Sequence, residues 1–275
     1  MKIGLALSGG GVLGAAHLGL LEEIEKNNLK IDLIAGTSAG AIVGGLFAAG
    51  GTKSINNFLQ DLRDFGLFDS AKWLWNLNGD RIFEQVRISL RKNLGVSKFE
   101  ELKIKFVCNA TNLSDGTIKV FDAGDIADAI MASAAYPGVF QPQKISDQYY
   151  IDGGITENLP VQVAKDYGAD FVIGSSLYNV NKFAKISEEG KLNANRFDII
   201  IRSLDIIQKG LADKDMKKCD FIFNPPVESY KWFHFDRLDE IKKIGQDYST
   251  KRFPLLTNAL TTKKSSSLIG RIFGK

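Results

Sequence analysis

The chain opens by running one pattern twice: a short apolar run, a glycine-rich turn, then a segment of helical spacing. Lys2–Leu7 carries no charge after its lysine, as a strand covered on both faces would. Val12–Asn27 gathers Leu18, Leu21 and Ile24 on one side and keeps Glu22, Glu23 and Lys26 elsewhere, which predicts a helix. Ile31–Ala35 is a second apolar run, and Ala39–Ala49 is small, apolar and continuous, as a helix packed on a sheet would be. Strand, turn, helix, strand, turn, helix is the order of a parallel sheet covered by helices. Further along, Asp80–Leu94, Asp125–Ala134, Phe197–Lys218 and Arg237–Lys251 read as helices. Lys103–Asn112 and Thr117–Phe121 read as strands joined by the hairpin signal Ser114-Asp115-Gly116. Lys144–Ile151, around a turn at Asp147, and Asp170–Ser176 complete the strands.

At 275 residues and 44% hydrophobic, the chain can bury one large core, so a single α/β domain is expected. A composition shift near residue 255 divides it into a body, 1–254, and a Thr/Lys/Ser-rich tail, 255–275. The net charge of +3 is too small to point to nucleic acid, but its distribution is uneven. Six basic and no acidic residues lie in 251–275, leaving 29 basic against 32 acidic in the remainder. Ile3–Leu21 and Leu33–Thr52 lack fixed charge and are long enough to raise a membrane span. Each is interrupted by a Ser-Gly cluster, and Ser8-Gly9-Gly10-Gly11 falls where a leader needs its apolar centre, so neither a span nor a leader is expected. Cys108 and Cys219 read as unlinked thiols, which fits a reducing, cytoplasmic setting. No metal-ligand spacing appears, and neither a metal nor another cofactor is expected.

The chemistry concentrates in three glycine-rich places. Gly36-Thr37-Ser38-Ala39-Gly40 sets a serine on a strand-to-helix turn, flanked by glycines where larger side chains would clash. Ser8-Gly9-Gly10-Gly11-Val12-Leu13-Gly14 follows the first strand and leaves main-chain N–H groups bare, as an oxyanion hole requires. Gly9, Gly11 and Gly14 also satisfy a dinucleotide-binding pattern, but Asp32 stands at the start of the next strand, where a ribose-binding acid belongs at its end. A nucleotide-binding module therefore stays as an alternative. For a base, His17 reads as a packed core histidine, and His234 comes late in the chain. Asp152, in Tyr150-Ile151-Asp152-Gly153-Gly154, ends a strand and can take a proton directly from a serine within reach.

These residues resemble the patatin-like phospholipases, in particular their compact bacterial members. The resemblance rests on Gly9-Gly10-Gly11-Val12-Leu13-Gly14, on Gly36-Thr37-Ser38-Ala39-Gly40 and on Asp152-Gly153-Gly154, with ASAAYPGVFQPQ (132–143) and ENLPVQVA (157–164) between and after them. It covers about residues 1–176. It implies a three-layer α/β/α fold with a mostly parallel sheet, and hydrolysis of fatty acyl esters of phospholipids or lysophospholipids. It also implies a dyad of Ser38 as nucleophile and Asp152 as general base and acid, with an oxyanion hole from Gly9, Gly10 and Gly11. Where the family commonly has Arg or Lys, this chain has Leu13. A non-catalytic lipid-binding scaffold on the same fold is a third reading. The tail residues Leu268, Ile269, Ile272 and Phe273 fall on one helical side beside Arg271 and Lys275. They read either as a solvated end or as a cationic amphipathic segment lying peripherally on a membrane. The aromatic-rich stretch 65–78 reads as a loop over the core or a lid on an apolar pocket.

Overall fold

In a computed structural model, residues 1–66, 79–177 and 191–272 are described, with side chains as far as residue 265. The aromatic stretch from residue 67 onward and the amphipathic pattern of 268–273 lie outside the described residues or side chains.

One mixed sheet carries the fold. Strands β1 (Ile3–Leu7), β2 (Leu33–Thr37), β3 (Lys105–Asn112), β7 (Phe171–Ser175) and β8 (Phe221–Phe223) run parallel, whereas β4 (Ile118–Phe121), β5 (Gln143–Ile145) and β6 (Gln148–Asp152) join antiparallel. The pairing path is β5-β6-β3-β2-β1-β7-β8, with β4 on β3. Alternation along the strands makes two cores. Ile3, Leu5, Leu7, Ile34, Phe106 and Cys108 face one way, and Ala6, Leu33, Ala35, Val107 and Val172 face the other. The first set packs with Leu18 and Leu21 of α1 (His17–Lys26), Leu46 and Phe58 of α2 (Ala39–Asp64), Phe83 and Leu90 of α3 (Gly79–Leu94), and Ile130 of α4 (Ile126–Ser133). The second packs with Val161, Val163 and Ala164 of α5 (Val161–Asp166), and is flanked by Met216 of α6 (Arg196–Met216). The layers are helix, sheet, helix, as the resemblance implies.

The last helix, α7 (Leu238–Ile272), runs across the boundary drawn at residue 255 with Pro254 inside it. A mid-helix proline removes one main-chain hydrogen bond. Here Phe253, Leu256 and Leu260 are buried against the first core, and this packing outweighs the local break.

The pairing of β3 decides which strand ends meet. Cys108 pairs with Gly36 of β2 and with Phe121 of β4, and Ala110 pairs with Asp152 of β6 and with Lys119 of β4. A strand has two edges, so β2 and β6 share the edge opposite β4. They approach from opposite directions, Thr37 ending beside Asn109 and Asp152 ending beside Ala110.

Candidate active site

Where β2 ends, one residue turns the chain into α2. Ser38 has φ 53 and ψ −120, a left-handed backbone that costs a residue with a side chain about 1–3 kcal/mol. Gly36 and Gly40 make the turn sterically open. A Cβ at 36 would lie 2.5 Å from the Gly40 carbonyl oxygen, and one at 40 would lie 2.2 Å from that of Leu7. The turn is tied down on both sides of the peptide. Ser38 N–H donates to Ser133 Oγ at 2.8 Å, and Ser38 O accepts from the N–H groups of Ala41 and Ile42 at 2.9 and 3.1 Å.

Asp152 closes β6 and is 1% exposed. Its Oδ1 accepts the Gly154 N–H at 2.7 Å, while Oδ2 is buried without a well-formed hydrogen bond. Burial pushes the carboxyl pKa up to about 6, against the opposing effect of hydrogen bonds from the Ser38 hydroxyl and the Gly154 N–H. Serine and aspartate are thus brought together, although 114 positions separate them in the sequence.

A network of buried side chains that sequence reading missed locks the two strand ends. Thr37 Oγ1 donates to Asn109 Oδ1 at 2.6 Å, and Asn109 Nδ2 donates to Glu157 O at 3.0 Å. Thr111 Oγ1 donates to Asp152 O at 3.0 Å, and Asp152 N–H donates to Ala135 O at 3.0 Å. Gly153 passes so close to β3 that a Cβ there would lie 2.3 Å from Asn109 O.

The glycine loop leads into a 3₁₀ turn, Gly11–Ala16, with Gly10 at φ 152 and Gly11 at φ 59. Of the three glycines expected to present N–H groups, Gly9 does not: its N–H donates to Asn158 O at 3.2 Å. The N–H groups of Gly10 and Gly11 have no acceptor among the described residues, and Val12 N–H donates to Trp232 O at 2.8 Å. Ala39, just after Ser38 and at the start of α2, adds a further helix-terminal N–H that sequence reading did not single out. Behind the loop, His17 is fully buried, with Nδ1 bonded to Ser175 Oγ at 2.8 Å and Nε2 to Ser8 O at 3.0 Å. Burial lowers its pKa to about 4. Leu13 is buried with Ala16, Leu177 and Ile241, so an apolar contact occupies the position where the family commonly has a cation.

Ser38, Asp152 and the loop line one cavity of about 150 Å³. Its other walls are apolar, from Ile42, Val43, Phe58, Leu59, Leu62, Phe83 and Phe140, with Trp232 and Phe235 at the C-terminal side. Phe83 stacks on Phe140 with ring centroids 4.3 Å apart. Asn158 and Gln208 also reach the cavity. His234 is not among its lining residues; its Nδ1 accepts the Lys231 N–H at 3.3 Å. Asp32 sits at the far end of β2, where Oδ2 accepts the Ile3 N–H at 2.9 Å and Oδ1 pairs with Lys30 at 3.0 Å. That removes the acid a nucleotide reading needs. Among the described residues no group of three or more His, Cys, Asp or Glu side chains could hold a metal, and no helix is long and apolar enough to cross a membrane. Cys108 and Cys219 are free thiols, and burial raises the pKa of both.

A family model described as "Patatin-like phospholipase" matches residues 5–165. Curated relatives include "Lysophospholipase NTE1" of Debaryomyces hansenii, 27% identical over 98% of this chain, and that of Saccharomyces cerevisiae, 25% identical over 90% of it. The chain spans 19% and 16% of those two proteins, under a fifth of each. Among solved structures, VipD from Legionella pneumophila aligns with 91% of this chain and 66% of its own, at 14% identity and a TM-score of 0.49.

Proposed function

Since the chain belongs to the patatin-like phospholipase family, we propose that it hydrolyses fatty acyl esters of phospholipids or lysophospholipids, with Ser38 as nucleophile and Asp152 as general base and acid. The observation that carries this reading is one apolar cavity lined by both a strained serine and a buried carboxyl.

Asp152 takes the Ser38 proton as Oγ attacks the ester carbonyl, and the developing oxyanion faces the N–H groups of Gly10, Gly11 and Ala39. Each such donor is worth about 3 kcal/mol in the transition state. Collapse expels the alcohol, which takes the proton from Asp152, and an acyl-Ser38 remains. A carboxyl of pKa about 6 suits this exchange: ionised at neutral pH, it is still a stronger base than an ordinary carboxylate. The apolar walls fit an acyl chain, and the name carried by the yeast relatives makes single-chain lysophospholipids the first substrates to test.

Treatment with a fluorophosphonate is expected to add one mass adduct, mapped to Ser38. Hydrolysis is expected to vanish in Ser38→Ala and Asp152→Asn and to persist in His234→Ala. Wild-type turnover in Ser38→Ala ends the proposal.

Peripheral contact with anionic lipid through the basic end of the chain belongs to the same reading. Cutting at 255 would remove buried Leu256 and Leu260, so the informative truncation deletes 265–275. It is expected to weaken sedimentation with anionic vesicles and to spare cleavage of short soluble esters. Equal sedimentation removes the tail from the proposal.

A further inference from the structure

Three buried polar atoms around Ser38 make no well-formed hydrogen bond within the protein: Oδ2 of Asp152, and Nδ2 and Oδ1 of Asn158. The main chain of Asn158 already has a task, since its carbonyl accepts the Gly9 N–H. The side chain has none, yet it is fully buried and lines the cavity.

Two glycines locate the amide. The point where a Cβ of Gly9 would stand lies 3.0 Å from Asn158 Nδ2 and 3.2 Å from Ser38 Cβ. The corresponding point at Gly154 lies 2.8 Å from Nδ2 and 3.0 Å from Asp152 Oδ1. Nδ2 therefore lies within about 6 Å of both Ser38 Cβ and Asp152 Oδ1, across space that the two glycines keep open.

An ionised carboxylate only accepts hydrogen bonds, and the amide nitrogen only donates. The Ser38 hydroxyl, which hydrogen-bonds Asp152 in the free protein, has no proton to give once Ser38 is acylated. A single group then serving Oδ2 and Nδ2 together must both donate and accept, which an acyl chain cannot do and a water can. A buried water needs two to four polar partners, and this corner supplies them. We propose that Asn158 is a positioning residue for deacylation: Nδ2 donates to the oxygen of the hydrolytic water while Asp152 Oδ2 accepts its proton. The inference rests on the reading of Ser38 as the acylated residue. The water oxygen bonds to the acyl carbonyl carbon as its proton passes to Asp152. The bond from that carbon to Ser38 Oγ then breaks, Oγ recovers the proton from Asp152, and the fatty acid leaves. No other reactant is needed.

The test uses the full chain and p-nitrophenyl butyrate, an ester without a hydroxyl group. In the near-isosteric Asn158→Leu and the smaller Asn158→Ala, neither of which adds a charge beside Asp152, the p-nitrophenol burst that reports acylation is expected to stay within about threefold of wild type. Steady-state turnover is expected to fall about 100-fold, on the scale of a reactant misplaced by about 1 Å, and intact mass is expected to show butyryl-Ser38 accumulating. Should Asn158→Leu melt early, Asn158→Ala carries the same comparison. Unchanged turnover, or burst and turnover falling together, overturns the proposal. So does a defect confined to lysophospholipid, which would assign the amide to the free hydroxyl of that substrate. A wild-type chain that takes no fluorophosphonate on Ser38 refutes the nucleophile reading, and this inference with it.

Discussion

The cavity has two walls built on different physics. The wall that carries Ser38 and Asp152 is backed by Thr37, Asn109 and Thr111, which do not line the cavity but join the strand ends and the 152–158 turn by directional hydrogen bonds. On the other, Phe58, Leu62, Phe83 and Phe140 are held by non-directional packing. The polar wall fixes distances, because a misplaced buried donor or acceptor loses its partner outright. The apolar wall fixes volume and tolerates side chains of similar size. Chemistry should therefore fail through the first wall, and substrate length should change through the second.

The largest effect is expected at Ser38. Ser38→Ala should lower ester turnover by about 10⁴-fold or more, on the scale seen when a covalent nucleophile is removed. Ser38→Gly should abolish turnover equally while stabilising the fold by about 1 kcal/mol, since glycine accepts φ 53 without strain. Thermal melts alongside the kinetics check both; an unstabilised glycine variant would show that the turn is not strained.

Asp152 should respond to pH in two opposite ways. Hydrolysis requires the carboxylate, so kcat/KM should fall as pH drops through about 6. Stability runs the other way. A folded-state pKa raised by burial means that the folded chain holds a proton the unfolded chain has already lost, so stability falls as pH rises from the ordinary carboxylate range to about 6. Glu157, whose pKa is raised to about 7 by burial and by Asp215, adds a change of the same sign. Asp152→Asn should remove only the part ending near 6, which denaturation series of the two proteins would resolve.

A smaller effect is expected at Thr37→Val. It keeps the shape but deprives Asn109 Oδ1 of its donor, costing about 1–3 kcal/mol. Turnover should fall about tenfold with KM little changed, because the strand ends loosen while the acyl pocket is untouched. The smallest effect belongs to the apolar wall. Phe83→Leu should cost about 1.5 kcal/mol or less and shift the preferred acyl length, leaving cleavage of short esters within about threefold. A loss of activity on every ester would erase the distinction between the walls.

Sequence reading reached what local rules govern. A serine between small residues at a strand end, three glycines after a strand and an Asp-Gly-Gly turn each need only their neighbours to be noticed. Asn109 and Thr37 were invisible because they look like any polar residues in an apolar strand, and strand register alone makes them partners. The N–H of Gly9 was misjudged for the same reason, since Asn158, which accepts it, lies 149 positions away. The composition shift near 255 hid a continuing helix, because buried Phe253 before Pro254 and buried Leu256 and Leu260 after it outweigh what the residue types suggest locally.

The meeting of β2 and β6 along one edge of β3 makes a strand that carries neither reactive group into the gauge between them. Neighbouring residues on it, Asn109 and Ala110, fix where each incoming strand stops. One residue inserted there would open the gap by about 3.3 Å, more than a hydrogen bond can span. The walls around the acyl chain can thus drift in sequence while the spacing of Lys105–Asn112 cannot.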